Sequence, residues 1–181
     1  VDEATFLEDP LRAVRAVQFA ARLNFNPSPQ LLALCRRASL DELPAERIQG
    51  EWEKLLLKAH YPSRGFELAR STAVIDRLFP EIAHLDHPAV DGALDRLAQG
   101  PRDALAPGPA WALMLGTWLH RASPAAFNAT LDRLWLHKWS GYRLRERTLQ
   151  LAAHWQAPIG TDAELRHLST RCELEITLLA R

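Results

Sequence analysis

Glu8-Asp9-Pro10-Leu11-Arg12-Ala13-Val14-Arg15-Ala16-Val17-Gln18-Phe19-Ala20-Ala21-Arg22-Leu23-Asn24-Phe25 is an acidic pair that runs into a proline and then into an arginine-studded amphipathic stretch. The spacing predicts a helix from Asp9 or Pro10, with Asp9 as N-cap and Pro10 at the first helical position, where a missing N–H costs nothing. Leu11, Val14, Val17, Ala21 and Leu23 supply its apolar stripe, while Arg12, Arg15, Phe19 and Arg22 follow a 3-4-3 spacing along another face. Helical packing around this stretch sets the reading of everything downstream.

Prolines and glycines divide the rest into segments of helical length with almost no alternating β-branched runs, so the fold class is all-α. Ser28 followed by Pro29 opens a second helix through Leu31, Leu32, Leu34 and Cys35, and a third begins near Pro44 and carries Ile48, Trp52, Leu55, Leu56 and Leu57. Phe66, Leu68 and Ala69 follow, then Val74 to Phe79 ahead of Pro80. The texture changes across Pro80 to Pro88. Beyond it the Pro107-Gly108-Pro109 loop precedes the strongly apolar Trp111–Leu119, then come Phe127–Leu136 and Tyr142–Trp155, and after Pro158 a final helix reaches Arg181. Trp111, Trp118, Trp135, Trp139 and Trp155 are expected in the core. Gly50 inside a helix suggests close helix packing there.

Bulk composition narrows the function classes. Acidic and basic residues balance at 22 each, which argues against a generally basic nucleic-acid coat. Only three of the cations are lysines; arginine suits phosphate or base contacts, and a GC-rich genome produces the same skew. Cys35 and Cys172 lie far apart, so no disulfide framework or metal knuckle is indicated, and a reducing cytosol is the simplest compartment. No apolar run approaches the ~18 residues of a membrane span, and no leader opens the chain.

The spacing of Asp9 and Arg12 places a hydrogen-bond acceptor beside a donor on one helix face. Cytosine and adenine show an amino donor beside a ring-nitrogen acceptor on their pairing edges, whereas uracil and guanine show the reverse order. A fixed Asp–Arg edge therefore accepts C and A and leaves charged groups unpaired against U and G. A capped helix start with Arg12 paired to Glu8 or Asp9 accounts for the same spacing without a ligand.

The opening stretch closely resembles the acidic-acidic-x-x-arginine motif region of bacterial class II tRNA nucleotidyltransferases and their poly(A) polymerase relatives. That resemblance implies that Asp9 and Arg12 contact the nucleobase of CTP or ATP, that Glu8 holds the template in place, and that Arg15 belongs to the nucleotide-binding set. Gln18 departs from the pattern, where arginine is usual. Leu43-Pro44-Ala45-Glu46-Arg47-Ile48-Gln49-Gly50-Glu51-Trp52-Glu53-Lys54-Leu55 resembles the family's next motif, a helix that buttresses the template, so Arg47 and Glu51 are its expected supports. They bridge each other, with either one also tied to Glu8 or Arg12; an exposed i,i+4 pair is the plainer alternative. Ser63–Leu68 and Leu78–Ile82 also fit the family's pattern, and the resemblance is strong over residues 4–82.

The resemblance implies a neck domain over 1–82, with the template helix and RNA-binding helices, and a helical body over 83–181, either tRNA-binding or a degenerate domain of the histidine-aspartate type. Paired aspartates behind a Gly-Ser turn, which hold Mg2+ for nucleotidyl transfer, are absent from these residues and are expected in a head preceding Val1. No catalytic residue and no metal is assigned within the chain. His84, Asp86, His87 and Asp91 lack the adjacent His-Asp pair of a hydrolase centre. Lys138, Arg143, Arg145 and Arg147, with Trp139 and Tyr142, are candidate RNA contacts, or else an ordinary solvated helix face interrupted by Glu146. The expected function is the nucleotide-selecting and tRNA-binding part of a CCA-, CC- or A-adding enzyme, inactive without its head. The alternatives are a poly(A) polymerase or a non-catalytic helical RNA-binding or scaffold protein.

Overall fold

The computed structural model describes residues 3–85, 88–155, 157, 160–171 and 173–180. Prolines and hydroxyl caps punctuate it. Pro29, Pro62, Pro107 and Pro124 each stand in the first turn of a helix, where a missing N–H is harmless, and Ser28, Ser123 and Thr161 accept a backbone N–H at helix starts. In chain order the helices are α1 Glu3–Glu8, α2 Leu11–Leu23, α3 Pro29–Arg37, α4 Ala45–Lys58, α5 Pro62–Ser71, α6 Val74–Leu78 and α7 Pro88–Ala98. A 3-10 turn at Pro101–Ala104 then leads to α8 Pro107–Leu119, α9 Pro124–Arg133, α10 Leu144–Ala153, α11 Asp162–Ser169 and α12 Leu174–Leu179. No β-strand occurs among the described residues, and no helix is long and apolar enough to cross a membrane.

Helix α2 packs on α4 and α5, α7 joins α5 to α8, and α8 lies against α4, α7 and α10. Every residue of α8 from Ala110 to Leu119 is buried, as a helix apolar on all sides requires. Trp52 of α4 lies at the centre, with Phe66, Phe79 and Trp118 at ring-centroid distances of 6.4, 4.8 and 5.8 Å. The rings meet mostly edge to face, the arrangement that aromatic quadrupoles favour.

Several expectations are corrected. Helix α1 ends on Glu8, so Asp9-Pro10 is a joint between two helices, and the Asp9 carboxylate makes ion pairs instead of capping α2. Leu23 is 66% exposed, because the left-handed Asn24 ends α2 there and turns the chain away from the core. Pro107-Gly108-Pro109 is the first turn of α8, not a loop. The final segment is two helices separated after Ser169. Gly50 has open space where a Cβ would stand; the tight approach is at Gly65, where a Cβ would lie 2.8 Å from the Val17 carbonyl oxygen of α2 and 3.1 Å from Ala21 Cβ. Trp135 is 59% exposed on the surface.

Candidate functional site

At the α1–α2 joint, residues far apart in sequence converge on Asp9. Arg47 Nη2, from α4, donates to Asp9 Oδ1 at 3.0 Å, and Arg15 Nη1, one and a half turns along α2, donates to Oδ2 at 3.5 Å. Arg15 Nε also lies 3.6 Å from Glu51 Oε1, which accepts from Lys54 Nζ at 2.8 Å. The charges therefore form a chain, Arg47–Asp9–Arg15–Glu51–Lys54, that ties the joint to α4. The expected Arg47–Glu51 pair gives way to it: Arg47 reaches across to Asp9, and Glu51 faces Arg15 and Lys54. Glu51 is 4% exposed, and its Oε2 has no hydrogen-bond partner among the described residues.

Each carboxylate oxygen offers two lone pairs, so two arginine contacts leave about half of the acceptor capacity of Asp9 open. Arg12 is exposed and has no ion pair with a described residue; Glu8, also exposed, has none either. Arg12 and Arg15 line a groove of about 400 Å³ together with Phe6, Phe19, Leu23 and Phe25. Arg12, Arg15 and Phe19 of the face marked by the 3-4-3 spacing thus form one wall of an open cleft. Gln18 is buried and accepts from Arg22 at 3.3 Å, a packing position within α2.

The second basic group is bound up locally. Arg145 pairs with Asp132 and donates to the Leu136 carbonyl at 3.3 Å, Arg143 lies 3.1 Å from Glu146, and Arg147 lies 3.9 Å from Glu173. Trp139 donates through Nε1 to Glu53 at 3.2 Å, and Tyr142 donates to Glu173. Lys138 is exposed. Asp91 is held by Arg70, and Asp86 and His87 lie outside the described residues, as does Cys172. No metal-binding group of His, Cys, Asp or Glu occurs among the described residues. Burial pushes the Cys35 thiol up to about 11, against weaker opposing pulls from Arg77 and Arg36, so it presents no thiolate at neutral pH. Desolvation lowers the His120 pKa below its ordinary value; its ring stacks on Trp155 at 4.0 Å.

Comparisons with known proteins stand beside this geometry. Residues 24–85 match the family described as the probable RNA and SrmB-binding site of polymerase A. The multifunctional CCA protein of Leptothrix cholodnii is 42% identical over 101 residues, 49% of this chain and 24% of that protein. That of Nitrosococcus oceani is 38% identical over 104 residues, 51% and 25% of the two chains. The chain thus spans about a quarter of the length of these curated relatives. A solved complex of a CCA-adding enzyme with CTP shares the fold, with a TM-score of 0.71 over 99% of this chain and 45% of that one, at 20% identity. About half of this chain is thus similar in sequence to multifunctional CCA proteins, and its fold is that of a CCA-adding enzyme.

Proposed function

We propose that this chain is the base-selecting and RNA-holding part of a tRNA nucleotidyltransferase that extends tRNA 3′ ends with CTP and ATP. The observation that carries this reading is the Asp9 carboxylate, held through both oxygens by Arg15 and Arg47, three positions ahead of Arg12, which lines a groove with Arg15 and has no ion pair with a described residue. A carboxylate fixed in this way accepts from the amino group of cytosine or adenine, and Arg12 donates to the neighbouring ring nitrogen. Uracil and guanine would set a carbonyl against the carboxylate and an N–H against the guanidinium. Phosphoryl chemistry belongs, in this reading, to a head domain with paired aspartates and Mg2+, and the chain by itself is inactive.

Residues 1–82 act as the neck that reads the base and 83–181 as a body that holds RNA. The description of the matched family, which names polymerase A, favours one second reading, a poly(A) polymerase with the same template and a different RNA. Asp9→Ala or Arg12→Ala in the complete protein lowers the preference for CTP and ATP over UTP and GTP by at least roughly 100-fold, since a site built to hydrogen-bond loses discrimination with its partners. Incorporation of each nucleotide onto tRNA measures this, and unchanged preference overturns the template role.

A further inference from the structure

Trp135 stands immediately beyond α9, in a backbone conformation that favours glycine. Its φ is +52°, Trp135 N donates to the Asp132 carbonyl at 2.9 Å, and Leu136 N donates to the Leu131 carbonyl at 2.9 Å. These bonds are those of a Schellman C-cap with Trp135 at its left-handed position, and the accompanying apolar contact falls to the fully buried Leu131 and Leu136. Glycine adopts that position without penalty, whereas any L-residue there is strained. The indole gains no burial in return, being 59% exposed, and it has no ring contact with a described residue. Neither backbone nor core thus calls for tryptophan at 135, and a costly residue without a folding role points to binding.

The surroundings select the partner. Arg133, His137 and Lys138 are exposed within three residues of Trp135, and the nearest acid in sequence, Asp132, is taken by Arg145. Arg133 lies 3.9 Å from Glu81 and keeps much of its surface. Leu134 and Leu136 on either side are fully buried, so the exposed apolar surface of this turn is the indole alone. A protein partner needs a wider apolar centre around such an anchor, whereas one π-face among cations is what an unpaired base and its phosphates require. Arg145 fixes the turn: its guanidinium binds Asp132 and the Leu136 and Asn128 carbonyls, and its backbone N–H binds the His137 carbonyl at 3.3 Å. The ring is therefore presented on a rigid backbone, which limits the entropy lost on binding.

We infer that Trp135 stacks on an unpaired base of the bound RNA, with Lys138, His137 and Arg133 on the flanking phosphates; this rests on the RNA-holding role proposed above. The test is fluorescence anisotropy of the 181-residue chain with a labelled tRNA transcript ending just short of its CCA. Trp135→Gly removes the ring and relieves the left-handed strain, so its melting temperature stays at or above that of the parent. Affinity for the transcript falls roughly 5- to 150-fold, the range for loss of one stacked base, and Trp135→Phe recovers most of it. The salt slope is unchanged in Trp135→Gly and shallower in Lys138→Ala. Affinity of Trp135→Gly within twofold of the parent overturns the inference and leaves the RNA-holding role standing. Absence of transcript binding by the parent overturns both, and a change in sedimenting mass without a change in RNA affinity assigns the ring to a protein contact and overturns the inference. Nucleotide selection through Asp9 and Arg12 is read separately and is unaffected by any of these outcomes.

Discussion

Glu51 is the residue on which the charged chain turns, and its burial shows which part of that chain is for stability and which for geometry. Taking a carboxylate out of water is costly, and its recovered contacts are to Arg15 and Lys54, whose side chains stay 43% and 40% exposed. Such pairs return little net stability, because the cations were well solvated without them. The unpartnered Oε2 adds to the cost. What Glu51 does fix is the direction of Arg15, and Arg15 with Arg47 fixes Asp9. Glu51→Leu therefore changes stability by less than about 1 kcal/mol, since the cations it leaves behind stay solvated and the desolvation cost of the carboxylate is removed with it. On the proposed reading of Asp9 as base-selecting, the same substitution in the complete protein weakens the preference for CTP and ATP. Urea unfolding and nucleotide incorporation on one variant check both halves; a large loss of stability would make Glu51 a folding residue instead.

At the scale of elements, α2 depends on how closely α5 can approach it. A Cβ on Gly65 would meet the Val17 carbonyl oxygen at 2.8 Å, and a backbone atom cannot swing aside as a side chain can, so Gly65→Ala forces the helices apart and costs about 1–3 kcal/mol. Gly50→Ala meets nothing within 4 Å and gains about 0.5–1 kcal/mol of helix propensity. The same chemical change thus has opposite signs at two glycines, readable as urea midpoints at constant m-value. Both glycines were visible in the sequence, but which face each would turn to a neighbour was not, because that depends on how α2, α4 and α5 cross. The same limit separates the helices from the ion pairs. Pro29, Ser28, Pro44 and Pro62 announce where α3, α4 and α5 begin, since a fixed φ and a cap act locally. Arg47 had a carboxylate one turn away in Glu51 and chose Asp9, 38 positions distant, a preference that only tertiary packing decides. Trp135 escaped for a related reason: tryptophan is an ordinary core residue, and its exposure follows from a C-cap conformation that the residue type opposes.

Across the whole molecule, residues 1–82 and 83–181 differ in proposed role but share one core. Trp118 of α8 lies 5.8 Å from Trp52 and 5.4 Å from both Phe66 and Phe79, so the second half supplies a wall of the first half's aromatic cluster. Arg102, 3% exposed, donates to the Leu56 and Ala59 carbonyls at the end of α4 and to Ala98 at the end of α7, closing both helix ends with one guanidinium. Separating the halves would expose the cluster and strand those carbonyls, which makes independent unfolding unfavourable. Trp118→Ala consequently costs about 3–5 kcal/mol and destabilises both halves together. Cys35 offers a local probe of the first half, because its buried thiol, with a pKa of about 11, reacts only when α3 opens. In a Cys172→Ser background, the urea midpoint for Cys35 labelling coincides with that for loss of helical circular dichroism, and both move down in parallel in Trp118→Ala. Two separated transitions, with Cys35 labelled in one and helices α8 and α10 persisting to the other, would mean that the halves fold on their own and that the shared aromatic cluster is a contact between them instead of a common core.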